Sequence, residues 1–172
     1  YSAALFEPHD IDLEQASRKK LHSICEGLEL KASDHLMEIG TGWGGLAIYA
    51  AQNYGCKVTT TTISDKQYNF AAAKIKKLGL EKQINLIKQD YRKLAGQFDK
   101  LVSIEMIEAV GHKYFPTFFK KCNDLLKPGG LMFLQSIVIN DQEYERAKNE
   151  VDFIKKYIFP GGCIPSIQAI TN

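Results

Sequence analysis

The stretch MEIGTGWGGLA, residues 37–47, places four glycines within six residues, where an apolar run gives way to a helical pattern. Gly40, Gly42 and Gly45 fit G-x-G-x-x-G at a strand-to-helix join, the context in which a nucleotide-binding turn is read. Glycine permits positive φ and carries no Cβ, so a ligand and the backbone can touch there. By itself the pattern also suits any tight turn of an α/β protein.

The flanks extend the same reading. Apolar, β-branched runs of strand length recur at 35–41, 57–63, 84–90, 100–106 and 131–139. Helix-length patterns lie between them: DLEQASRKKLHSICEGL, GLAIYAAQNY, DKQYNFAAAKIKKLG and KYFPTFFKKCNDLLK. Strands alternating with helices predict a doubly wound, mostly parallel α/β sheet. LKPGG at 126–130 reads as a turn into the fifth strand. Phe115, Phe118 and Phe119 fall at the i, i+3, i+4 spacing of a core-facing helix, although aromatics flanked by lysines also suit a lipid surface.

Composition narrows the class. The chain has 172 residues, 45% of them apolar, enough for one domain with a real core and short for two. A formal charge of +2 on scattered lysines gives no case for nucleic acid. Cys25, Cys56, Cys122 and Cys163 stand apart without metal-ligand spacing, so no metal site is indicated, and four free thiols fit a reducing compartment. The longest apolar run is too short to span a bilayer and the first residues lack a secretory pattern, so a cytoplasmic protein is expected. The absence of an initial Met, and a Pro/Gly-rich stretch near residue 160, read as a piece of a longer protein.

Two ligands compete for the glycine loop. A dinucleotide calls for an acid about 20 residues on to hold its ribose, but the second strand ends in TTTTIS, and the next acid, Asp65, opens a helix. Glu38, just before Ile39 and Gly40, would repel a pyrophosphate and attract a cation. S-adenosylmethionine carries an ammonium and a sulfonium, so Glu38 favours it. Asp90, at the end of the third strand, has the chemistry to accept from an adenine amine.

The segments YSAALF, MEIGTGWGGLAIYAA, TTISDKQ, QDYRKL, FDKLVSIEMIEAVGHKYFPTFF, LLKPGG and KYIFPGGCIPS occur in order along nearly the whole chain. Together they resemble the cyclopropane-fatty-acyl-phospholipid synthase family, which includes the mycolic acid cyclopropane synthases; EAVGH and KYIFPGG are the most specific. The resemblance implies a Rossmann-like class I methyltransferase fold. That fold normally has seven strands, so the five read here imply truncation at the C-terminus of a single domain, residues 1–172. It implies S-adenosylmethionine contacts from Tyr1 and Ser2, from Glu38, Gly40, Thr41, Gly42 and Gly44 of the main loop, from Thr62, Ile63 and Gln67, and from Asp90, Tyr91, Arg92 and Ile104.

The implied chemistry is transfer of a methylene to the cis double bond of an unsaturated phospholipid acyl chain, forming a cyclopropane. The enzyme would contact the membrane surface transiently, at its inner face. In the family a bicarbonate ion is the base, held by a Cys, a Glu, a His and a Tyr. Glu108 matches the Glu. The Cys position falls at Ala3, the His position at Gln135, and the Tyr position beyond residue 172. Glu108 and Gln135 are therefore the expected catalytic pair. Glu105 is expected to play a lesser role, and His112 a structural one or one near the substrate entrance. The alternatives are a small-amine N-methyltransferase of the same fold and a non-catalytic cofactor-binding domain.

Overall fold

The computed structural model describes residues 3–172. Helix α1 (Leu13–Gly27) starts at a capping box: Asp12 accepts from the Gln15 amide at 2.8 Å, and the Gln15 side chain accepts from the Asp12 N–H. Strand β1 (His35–Ile39) then enters the glycine loop, and helix α2 (Gly45–Tyr54) leaves it. Gly44 caps α2 with φ of 80°, and Gly55 ends it in the left-handed region. Strand β2 (Lys57–Thr62) leads through the Ser64 cap into α3 (Asp65–Lys77), whose last turn carries Lys74, Lys76 and Lys77. Strands β3 (Ile84–Lys88) and β4 (Phe98–Ile104), helix α4 (Phe115–Leu125) and strand β5 (Leu126–Gln135) complete the sheet and its cover.

All five strands are parallel, in the order β3-β2-β1-β4-β5. The chain leaves β1 toward one side and β4 toward the other, so a crevice opens between their C-terminal ends. Side chains alternate across the strands. Leu36 and Val102 join a core with Ile24, Leu28, Leu46 and Ile75, while Met37 and Leu101 join a second with Phe98, Phe115, Phe118 and Leu125. Phe115 and Phe118 are thus core residues, with Phe119 packed against them, as their spacing predicts.

Strand β2 is polar in sequence yet buried. Its threonines are accommodated because each hydroxyl finds a partner: Thr59 with His35 Nε2, Thr60 with Glu38 and Thr41, Thr61 with the Gln89 carbonyl, Thr62 with Gln67. The LKPGG stretch corrects the sequence reading. Strand β5 begins at Leu126, paired with Phe98, and residues 127–130 loop out opposite Asp99 before pairing resumes at Lys100 and Leu131. Asp99 fixes this irregularity by accepting from Lys127 Nζ at 2.7 Å and from the His35 N–H at 2.9 Å.

Three short elements follow β5 that the periodicity does not predict: α5 (Asp141–Asn149), a π-helical turn at Ile154–Ile158, and α6 (Ile167–Thr171). The segment 159–163 docks on the loop after β4. The Cys163 N–H donates to the Glu108 carbonyl at 2.8 Å. A Cβ on Gly111 would stand 2.6 Å from the Gly161 carbonyl oxygen, and one on Gly162 would stand 2.8 Å from that of Glu108. The EAVGH and FPGGC motifs therefore meet backbone to backbone, at a distance that only glycine permits.

Candidate active site

The crevice holds two adjoining cavities that share Gly40, Gln67 and Met106. The first, about 440 Å³, runs over the ends of β2 and β3 and is lined by Thr62, Ile63, Gln67, Asp90, Tyr91 and Arg92 among others. The second, about 400 Å³, lies over the glycine loop and is lined by Glu38, Thr41, Gly42, Trp43, Ile104 and Glu105 among others. Gly40, with φ of 104°, forms the waist between them, and a Cβ there would meet Met106 at 3.6 Å.

In the first cavity Thr62 donates to Gln67 Oε1 at 2.8 Å, which fixes Gln67 beside the waist. Asp90 caps the 3-10 turn Tyr91–Lys93, and its carboxylate accepts from the Arg92 backbone, Nε and Nη2. That guanidinium holds the Asp90 carboxyl below the usual carboxylate range. Tyr91 is fixed edge-to-face on the buried Phe118, with centroids 5.6 Å apart.

In the second cavity Glu38 is only 3% exposed. Burial pushes its carboxyl up to about 8, an effect that the hydrogen bond from the Thr60 hydroxyl offsets in part. A buried acid under a cavity fits a cationic ligand, whose charge would relieve that cost. The mouth is flanked by Trp43, packed edge-to-face on Phe70 at 5.2 Å.

Of the sequence-derived cofactor residues, Glu38, Gly40, Thr41, Gly42, Thr62, Ile63, Gln67, Asp90, Tyr91, Arg92 and Ile104 line one cavity or the other. Gly44 lines neither; it caps α2 where a Cβ would press on Ala71 at 3.3 Å. Tyr1 and Ser2 lie outside the described residues. Sequence reasoning missed Met106, Trp43, Gln89 and Tyr114 in the lining. Met106 and Tyr114 do stand in the IEMIEAVGHKYF stretch, but nothing in a single sequence marks them as lining.

The expected catalytic pair is divided. Glu108, in the 3-10 turn Ile107–Ala109, accepts from the Ile137 N–H at 2.6 Å, and its other oxygen is buried without a partner among the described residues. It borders a small pocket of about 90 Å³ with Lys155 and Cys163. Gln135 donates instead to Glu105, at 2.7 Å. The same Glu105 oxygen accepts from the Ala3 N–H at 2.9 Å. Ala3 and Gln135 also line a third cavity, about 420 Å³, where Ala4, Leu5, Ile24, Phe133 and Leu134 form an apolar wall and Lys20, Ser23 and Ser136 add polar groups. Glu105 thus links the glycine-loop cavity to one with an apolar wall, a larger part than its sequence position indicates. His112 borders a surface groove with Lys148 and Lys155, where burial and those ammonium groups push its pKa down.

Among solved structures, the mycolic acid cyclopropane synthase CmaA1 complexed with SAH and CTAB matches 99% of this chain at TM-score 0.88 and 27% identity, over 63% of its own length. The fold is that of the class I S-adenosylmethionine-dependent methyltransferases. The sequence narrows this further, because the model of the mycolic acid cyclopropane synthetase family matches residues 1–172, and the chain belongs to that family. It is 41% identical over 172 residues to the cyclopropane-fatty-acyl-phospholipid synthase of Escherichia coli strain K12. It is 36% identical over 179 residues to the tuberculostearic acid methyltransferase UfaA1 of Mycobacterium tuberculosis. All of this chain aligns in both cases, but it spans only 43% and 42% of those relatives.

Proposed function

We propose that the protein containing this chain transfers a methylene from S-adenosylmethionine to the cis double bond of an unsaturated phospholipid acyl chain, forming a cyclopropane. One observation carries the reading: Glu105 borders the glycine-loop cavity, and the two groups it holds, Ala3 and Gln135, border a cavity beside it whose wall of Ala4, Leu5, Ile24, Phe133 and Leu134 suits an acyl chain. A chain lying on that apolar wall would present its alkene where the methionine end of the cofactor would lie. The bound cofactor supplies an electrophilic methyl carbon. The residues of this chain do the rest: Glu38 meets the cationic end, Thr62 and Gln67 the ribose, Asp90 and Tyr91 the adenine, and the apolar walls exclude water.

The names of the two relatives and the CTAB complex support a long apolar substrate. A small-amine acceptor has less support, because it calls for a short polar pocket. The tuberculostearic acid methyltransferase keeps a methyl-branched product open as a second reading. In our proposal Gln135 positions Glu105, Glu108 holds the turn after β4 in place through Ile137, and the enzyme meets the membrane surface only to take up its substrate.

The test is mass spectrometry of membrane lipids from cells expressing the full-length protein and fed methyl-labelled methionine. Unsaturated phospholipid chains are expected to gain one labelled methylene, and fragmentation will tell a ring from a branch. Unlabelled lipid, with cofactor binding confirmed separately, would overturn the proposal.

A further inference from the structure

We infer that Glu105 is the built-in general base of this site and that its carboxylate takes the place of a bound bicarbonate. The inference rests on the lipid reading above. Ring closure needs a group to accept a proton from the transferred methyl carbon, held beside the methionine end of the cofactor. A bicarbonate at the Ala3 and Gln135 positions would draw on the Ala3 N–H and the Gln135 amide, and both already donate to Glu105 Oε1. A bicarbonate there would find both donors taken by Glu105, with no Cys or His side chain to replace them, so the residues present do not fit it.

The backbone singles out the same residue. Glu105 has φ of 46° and is one of two non-glycine residues with positive φ among the described residues; the other, Glu29, follows the end of α1. The turn falls one residue past β4, at the crevice, and is kept in register by the Glu105 N–H donating to the Gln135 carbonyl at 2.8 Å. Gln135 therefore holds Glu105 at both ends, through its carbonyl and its side-chain amide. Such a conformation persists only where its surroundings enforce it, and it is concentrated at functional sites. The side chain borders the glycine-loop cavity, and the Lys20 ammonium interacts with it electrostatically.

The electron count closes without an external base. The alkene pair forms the new bond to the methyl carbon while the carbon–sulfur pair stays on sulfur, leaving a cationic carbon in the chain. Glu105 takes a proton from the new methyl group, and the freed C–H pair closes the ring onto that carbon. The protonated carboxyl then returns its proton to solvent.

Two variants of the full-length protein test this. Glu105→Gln keeps an acceptor for Ala3 and Gln135 but loses basicity. It should bind S-adenosylhomocysteine within about threefold of wild type by calorimetry, while turnover falls about 100-fold or more. Glu105→Gly removes the positive-φ strain and frees both donors. It should bind bicarbonate by calorimetry where wild type binds none, and added formate should restore part of its turnover. Wild type should keep full turnover in carbonate-free buffer. Loss of that turnover, or a Glu105→Gln enzyme within about tenfold of wild type, would overturn the inference alone. Absence of labelled lipid from wild type would overturn the lipid reading and this inference with it.

Discussion

At Gly40 the backbone sits at φ of 104°, with Met106 3.6 Å from where a side chain would begin. Gly40→Val should therefore cost about 100-fold or more in S-adenosylhomocysteine affinity by calorimetry, with the circular dichroism spectrum unchanged. Glu38 makes a different kind of prediction. Burial raises its carboxyl from an ordinary value of 4.5 to about 8, so the folded state holds a proton that the unfolded chain releases. Its contribution to stability is full below about pH 4.5 and is lost as pH rises through about 8. The melting temperature of the cofactor-free protein should thus fall between about pH 5 and pH 9, and Glu38→Gln should flatten that fall. A variant that keeps the wild-type slope would show that Glu38 is not the group responsible. The glycines were legible because their residue type announces their conformation. Glu38 was legible as an acid, but its burial was not. Glu105 was undervalued because no residue type predicts a left-handed glutamate; the conformation comes from the tertiary surroundings.

At the scale of elements, the three turns after β1, β2 and β3 carry most of the crevice lining; the first was read from its strand-to-helix join, the other two from the family resemblance. The turn after β4 is different, because it is completed by a segment distant in sequence. Glu108 holds Ile137 through its side chain and Cys163 through its carbonyl, and it lines neither cofactor cavity. Glu108→Gln retains an acceptor for Ile137. It should leave cofactor affinity within about twofold and lower turnover at least about tenfold in the full-length enzyme. Equal losses in both would show that Glu108 shapes the cofactor cavities instead. The meeting of residues 107–111 with 159–163 was hidden in the sequence, since the glycines that permit it advertise a turn, not a contact. Helix α5 was hidden for another reason: none of its residues is buried, so it leaves no apolar stripe to read.

For the molecule as a whole, the alternation of strands and helices was enough to give a parallel doubly wound sheet, and handedness with short connections limits the strand orders open to it. Pattern alone did not foretell how the last 37 residues fold. Val151, Phe153, Tyr157, Ile158 and Phe159 there are apolar and exposed, so hydrophobicity does not separate inside from outside. No helix among the described residues is long and apolar enough to cross a membrane. The cysteines lie on both sides of the sheet: Cys25 and Cys56 in the core under α1 and α2, Cys122 in the core under α4, and Cys163 in the docked C-terminal segment. All four are buried, and burial pushes Cys25 and Cys122 up to about 12 and Cys56 to about 11. A thiol so protonated and enclosed reacts only when its surroundings open. Brief exposure to an alkylating reagent, read by peptide mass spectrometry, should mark Cys163 first and the core cysteines at least about tenfold more slowly. Equal rates at all four would mean that the docked segment and the core open as one unit. The chain therefore carries its own set of clocks, one for each face of the sheet and one for the segment that closes over Glu108.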